Sequence, residues 1–253
     1  MATALVTGAS SGLGREYARQ LARAGHDLVL VARNGTVLTQ LAEALEMEHG
    51  ARAEVLPADL ATRQGVALVA ERLDDATRPV SLLVNNAGFG LGKPFPDNDL
   101  GAEESALDVM VRAVMILSHH AARAMRRRGR GAILNVASVA CETGAGTYSA
   151  HKAWVRAFTE GLAAELAGTG VTATCVMPGL TRTEFFDRAG VDLPGAPAWA
   201  WSTAEQVVGE SLAAVRRGSV LVTPHPAYKA AMTAMRVAPR WFTRAVVAHL
   251  PHM

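Results

Sequence analysis

Aromatic residues, cysteine and lysine are all scarce in this chain. Phe, Trp and Tyr make up 5% of its 253 residues, with three tyrosines among them. The two cysteines, Cys141 and Cys175, are too few for a disulfide scaffold and read as free thiols of a reducing compartment. No stretch offers the roughly 18 uninterrupted apolar residues of a membrane-spanning helix. The opening "MATALVTGAS" has neither a basic start nor a cleavage signal, so a soluble cytoplasmic protein is expected. A net charge of +2 is too balanced to argue for a nucleic-acid partner. Among the eight scattered histidines, the adjacent His119 and His120 point to different sides of a helix, and no metal site is expected.

What the chain does have is alternation. Nearly continuous apolar runs predict strands at Thr3–Thr7, Asp27–Ala32, Ala53–Pro57, Val80–Val84, Ala132–Ala137, Val171–Val176 and Ser219–Val222. Such runs suit strands buried on both faces. Helix-like segments lie between them, at about 13–24, 35–49, 62–76, 102–128, 149–168 and 203–217. Gly25, Gly50, Gly129 and Gly168 follow four of these as stop signals. Seven strands alternating with six helices, without a composition break, predict one α/β domain over 1–253. Its core would be a doubly wound, seven-stranded parallel sheet with helices on both faces, a Rossmann fold. Two stretches fall outside the alternation: a Pro-, Gly- and Trp-rich loop, 184–202, and a tail, 224–253.

The first strand runs into "TGASSGLG", residues 7–14. At such a strand–helix junction Gly8 permits the sharp turn, Gly12 lets backbone approach a pyrophosphate, and Gly14 lets the helix pack on the sheet. The loop residues Ser10, Ser11 and Leu13 belong to the same candidate phosphate cradle, at a helix N-terminus whose free N–H groups attract anions. The second strand ends in Ala32 and Arg33 rather than in an acid that would hold the ribose 2′-OH of NAD. Arginine matches a 2′-phosphate, which favours NADP(H) over NAD(H); a merely solvated arginine is the other reading. Further on, "YSAHK" at 148–152 places Tyr148 and Lys152 four apart, on one helix face. A free tyrosine titrates near 10, and an adjacent ammonium is expected to lower that value.

These motifs, with "NNAG" at 85–88, Ser138 after a strand and "PGLTRT" at 178–183, follow one another as in the classical short-chain dehydrogenases/reductases. The chain resembles that family over about residues 3–222. The resemblance implies that Ser138, Tyr148 and Lys152 are catalytic, with Tyr148 exchanging a proton while hydride passes between a nicotinamide and a carbonyl or carbinol carbon. It implies cofactor contacts from Asp59 and Leu60 at the adenine, from Asn85, Ala87 and Gly88 beside a ribose, and from Pro178, Gly179, Thr181 and Thr183 near the carboxamide. It also implies a homodimer or homotetramer through helices 102–128 and 149–168. Three features depart from the family pattern. Met110 in "LDVMVRAV" replaces an asparagine that helps hold a proton-relay water. The loop "CETGAGT" is short, and His151 stands where a small residue is common.

Loop 184–202 carries Phe185, Phe186, Trp199 and Trp201. They would either close over an apolar carbonyl or alcohol substrate or pack against the tail. In the tail, Tyr228, Met232 and Met235 form a stripe at helical spacing, suited to core or subunit interface more than to a membrane anchor. An NADP(H)-dependent reductase or dehydrogenase of an apolar substrate is thus expected. A 3-oxoacyl-thioester reductase and a degenerate NADP(H)-binding sensor or scaffold remain the alternatives.

Overall fold

A computed structural model describes residues 2–191, 195 and 197–237. Five long parallel pairings join β1 (Thr3–Thr7), β2 (Asp27–Ala32), β3 (Ala53–Pro57), β4 (Val80–Asn85), β5 (Gly131–Val136) and β6 (Val171–Val176). The strands β7 (Thr181–Arg182) and β8 (Ser202–Thr203) pair only with each other, and β9 (Leu221–Val222) closes the main sheet beside β6. The main sheet therefore has the expected seven parallel strands, in the order β3-β2-β1-β4-β5-β6-β9.

Strand alternation divides the core. Leu5, Val29, Val31, Leu83 and Ile133 face one side and pack with Val66, Val69 and Leu73 of α3 (Arg63–Asp74) and with Leu117 and Met125 of α5 (Ala113–Arg128). Their neighbours Ala4, Val6, Leu28, Leu30, Val84 and Leu134 face the other side, against α1 (Gly12–Arg23), α2 (Gly35–His49) and α8 (Ala204–Arg216). A period of two within each strand thus produces two hydrophobic layers. Each fully buried leucine contributes roughly 1.5–3 kcal/mol of burial energy.

Three stretches differ from the periodicity-based expectation. The long helix expected over 102–128 is three pieces: α4 (Leu100–Leu107), a π-helical turn over Asp108–Arg112, and α5. Periodicity cannot register this break, because a π turn adds one residue without interrupting the apolar pattern. Between β5 and β6 runs α6 (Gly146–Glu165). Loop 184–202 is not wholly irregular, since α7 (Phe185–Ala189) and a 3-10 turn (Ala198–Ala200) form within it. The tail supplies α9 (Pro226–Val237), and the rest of that predicted segment lies outside the described residues. Among the described residues no helix is long and apolar enough to cross a membrane.

A buried polar chain pins β4 to β5 and to the helices beneath. The Asn85 amide donates to Ser118 Oγ (3.0 Å) and to Asn135 Oδ1 (2.9 Å), and the Asn135 amide donates to Thr159 Oγ1 (3.0 Å). Asn135 is 0% exposed. Asn135→Ala is expected to leave buried donors unmatched and to destabilise by about 1–3 kcal/mol. In urea denaturation this appears as a lower midpoint with an unchanged slope.

Candidate active site

Strand order reverses between β1 and β4, whose C-terminal ends diverge into separate loops; ligands of open α/β sheets bind at such a point. The Thr7 hydroxyl joins the two ends. It donates to the Val84 carbonyl (3.3 Å) and accepts from the backbone N–H of Asn86 (3.0 Å) and Ala87 (3.1 Å). Asn86 in turn donates to the Thr7 carbonyl (3.0 Å). Gly8 sits here at φ 67°, and a Cβ on it would meet the Asn86 amide nitrogen at 2.9 Å. A Cβ on Gly14 would run into the Gly8 carbonyl. This crowding brings the turn backbone and the α1 N-terminus to the edge of a cleft of about 1410 Å³.

Most residues singled out from the sequence line that cleft: Gly8, Ser10, Ser11, Gly12, Leu13, Arg33, Asp59, Leu60, Ala87, Gly88, Ser138, Tyr148, Lys152, Pro178, Gly179, Thr181 and Thr183. Two do not. Gly14 is packed beneath the turn, and the Asn85 side chain points into the core, spent on Ser118 and Asn135. The correction follows from strand alternation: Asn85 is the last residue of β4, whereas Asn86 begins the turn and lines the cleft. Arg33 is exposed at the rim and has no carboxylate partner among the described residues.

Ser138 caps the short 3-10 turn that follows β5. Its Oγ accepts from the Ala140 N–H (3.2 Å). Tyr148 and Lys152 share a face of α6, with the ammonium 5.6 Å from the phenol ring centre. Lys152 is 4% exposed and donates to the Val136 carbonyl at 2.8 Å. Burial raises the Tyr148 pKa above its ordinary value, against a hydrogen bond with Ser138 that lowers it. Burial also lowers Lys152 to about 8. The free protein thus differs from the expected lowering: burial is the largest influence on the phenol, and the hydrogen bond from Ser138 is what opposes it. Met110, 2% exposed, occupies the middle of the π turn. Its Sδ and the Lys152 Nζ flank the same side of Gly88, where a Cβ would lie 3.3 and 3.4 Å from them.

Sequence reasoning missed Glu184. Its Oε2 accepts the Gly12 N–H at 3.1 Å, its Oε1 lies 3.6 Å from Arg15, and Arg188 donates to Ser11 Oγ at 2.8 Å. Its own backbone N–H lowers its pKa, and Arg15, the Gly12 N–H and Arg188 act in the same direction against desolvation. No motif marks this residue; the only available signal was an acid immediately after Thr183. Of the loop aromatics, Phe185 and Phe186 line the cleft. Phe185 packs on Tyr148 at 5.7 Å, Trp201 backs Phe186 at 5.5 Å, and Trp199 is 67% exposed.

A doubly wound sheet with a glycine turn at its crossover and a Ser, Tyr and Lys meeting in the adjoining cleft defines a dinucleotide-dependent oxidoreductase. The short chain dehydrogenase family model matches residues 2–192, and the chain belongs to that family. It is 39% identical over 186 residues to sulfoacetaldehyde reductase 2 of Chromohalobacter salexigens, covering 72% of this chain and 73% of that protein. Among solved structures, a short-chain dehydrogenase from Sphingobium yanoikuyae in complex with NADPH superposes with a TM-score of 0.85 at 33% identity. That match covers 99% of this chain and 96% of the other. A bulky-bulky ketone specific alcohol dehydrogenase from Comamonas testosteroni gives 0.80 at 30% identity, covering 95% and 96%.

The buried lysine has a measurable consequence without any ligand. Its folded pKa lies below the unfolded value near 10.4, so the unfolded chain binds more protons between about pH 8 and 10, and native stability rises with pH there. Lys152→Met removes that rise. Relative to the native protein, the variant is expected to lose on the order of 1–3 kcal/mol between pH 7.5 and pH 10, read from denaturation curves at the two pH values.

Proposed function

We propose that the protein is an NADP(H)-dependent oxidoreductase of an uncharged, apolar ketone, aldehyde or secondary alcohol. The observation that carries this reading is the apolar share of the cleft lining. Phe89, Val109, Val139, Ala140, Ala145 and Phe185 belong to it, and Phe185 lies on the Tyr148 ring. Apart from Lys152, the charged side chains that line the cleft among the described residues are Arg15, Arg33, Asp59, Glu184 and Arg188. They belong to the glycine turn, the strand ends beside it and the segment after Thr183. Among the described residues, Lys152, already held by Val136, is the cation that lies beside Tyr148 for a sulfonate or carboxylate to pair with. The Comamonas relative, described as specific for bulky ketones, has a matching fold at a similar level of identity.

The crowded glycine turn fits a dinucleotide pyrophosphate, Arg33 fits a 2′-phosphate, and the Sphingobium relative carries NADPH. The bound nicotinamide supplies hydride exchange with the carbonyl or carbinol carbon. Ser138 donates a hydrogen bond to the substrate oxygen and fixes its direction. Tyr148 passes its phenolic proton to that oxygen in reduction and accepts it in oxidation. Lys152 places a cation against the phenol where burial otherwise disfavours the phenolate. Phe185 covers the phenol and keeps water from it. We place the chain in the cytoplasm as a dimer or tetramer, with exposed Leu107 and Met115 of α4 and α5 at the contact.

A panel of carbonyl compounds followed by NADPH absorbance tests the reading. Bulky aryl or alicyclic ketones are expected to turn over faster than sulfoacetaldehyde or short carboxylated aldehydes; the reverse order would reject the apolar substrate. Tyr148→Phe should abolish turnover while NADPH still binds in a fluorescence titration.

Arg33→Ala should weaken NADPH binding by about 1.5–3 kcal/mol, the worth of a charge-assisted contact, and leave NADH binding nearly unchanged. Equal affinity of the native protein for the two cofactors would remove the preference for NADP(H).

A further inference from the structure

Helix α9 lies beyond residue 192, where the family match stops. It touches the cleft from two directions. Met232, 3% exposed, and Met235 pack with Val139, Cys141, Val155 and Met177, behind the turn that carries Ser138. At the other end of the helix, Tyr228 lines the cleft itself. Its hydroxyl accepts the Leu180 N–H (3.2 Å) and donates to the Ala200 carbonyl (2.9 Å). Its ring lies against Gly179, on which any Cβ would strike the ring. His225 enters the helix at φ 77°, a conformation that side-chain-bearing residues seldom take, and its ring meets Tyr228 edge-on at 5.8 Å.

The segment so gripped has few free backbone groups left. The Pro178 carbonyl accepts from the Val139 N–H (3.0 Å). The Gly179 carbonyl accepts from Thr181 Oγ1 (3.0 Å), and the Leu180 carbonyl from the Ser202 N–H (2.9 Å). Tyr228 takes the Leu180 N–H as well. A backbone held by this many bonds cannot shift without breaking some of them.

We propose that Tyr228 is a positioning residue that sets where the nicotinamide end of the cofactor lies relative to Ser138 and Tyr148. The inference rests on the NADP(H) reading above. Its phenol holds the Gly179–Leu180 peptide, and α9 ties that peptide to the serine turn through Met232. Small misplacements of a hydride donor are costly, so a hydroxyl that touches neither reacting atom still governs the rate.

Tyr228→Phe keeps the ring on Gly179 and removes both hydrogen bonds. Two probes are titrated against native and variant protein: NADPH, and 2′-phospho-ADP-ribose, which lacks the nicotinamide. The Kd for NADPH is expected to rise by about five- to tenfold, with the Kd for the fragment within twofold of native. In turnover, kcat should fall with the KM for the carbonyl unchanged, and the primary isotope effect from deuterated NADPH should grow. Equal weakening of both probes, or a lower Tm with neither Kd altered, would overturn the proposal by making Tyr228 merely structural. If Tyr228→Phe does not fold, Tyr228→Leu, which also removes both hydrogen bonds, must show the nicotinamide-specific loss or the proposal fails. A native protein that binds neither NADPH nor NADH would reject the cofactor reading itself; a failure confined to the variants would reject only the role of Tyr228.

Discussion

The divergence of β1 and β4 is the constraint from which the cleft follows. Parallel strands cannot be joined by hairpins, so each requires a crossover helix, and at one place in the sheet the crossovers leave in opposite directions. The gap there would let the strand ends drift apart. Thr7 prevents this with a single hydroxyl that bonds Val84, Asn86 and Ala87. Gly8 and Gly14 answer the same crowding with the absence of a side chain. The glycine turn, Ala87 and Gly88 take their places from this junction, and Ser138 and Tyr148 take theirs from β5 and α6, which the Asn85–Asn135–Thr159 chain locks to it.

Much of this was legible in the sequence. Apolar strand runs identify the sheet because burial on both faces leaves no polar alternation, and four of the strand spans agree residue for residue with the expectation. Ser138, Tyr148 and Lys152 meet in the cleft as the motif order implied. What was illegible depends on contacts between distant segments. Of two adjacent asparagines, only the end of the strand decides which one faces the core. A π turn at Met110 leaves no mark on apolar periodicity. The contacts of Glu184 and Tyr228 cross 172 and 48 residues of chain, and no local pattern records them.

The electrostatics of the Tyr148–Lys152 pair also depends on packing that spacing alone does not reveal. A Tyr–Lys pair four apart suggests an acidified phenol. Instead both groups are buried, and burial makes the phenol a weaker acid and the amine a weaker base than usual, while a lysine lowered only to about 8 still carries its proton near neutral pH. The apolar residues of the cleft lining contribute to the same low-polarity surroundings.

Glu184 and Phe185 are consecutive residues, yet one grips the Gly12 N–H at the glycine turn and the other lies on the Tyr148 ring. Their Cα atoms are only about 3.8 Å apart, so a single peptide bond joins the two contacts. An anion that claimed the Gly12 N–H would have to displace the Glu184 carboxylate, one residue from the ring that covers the phenol.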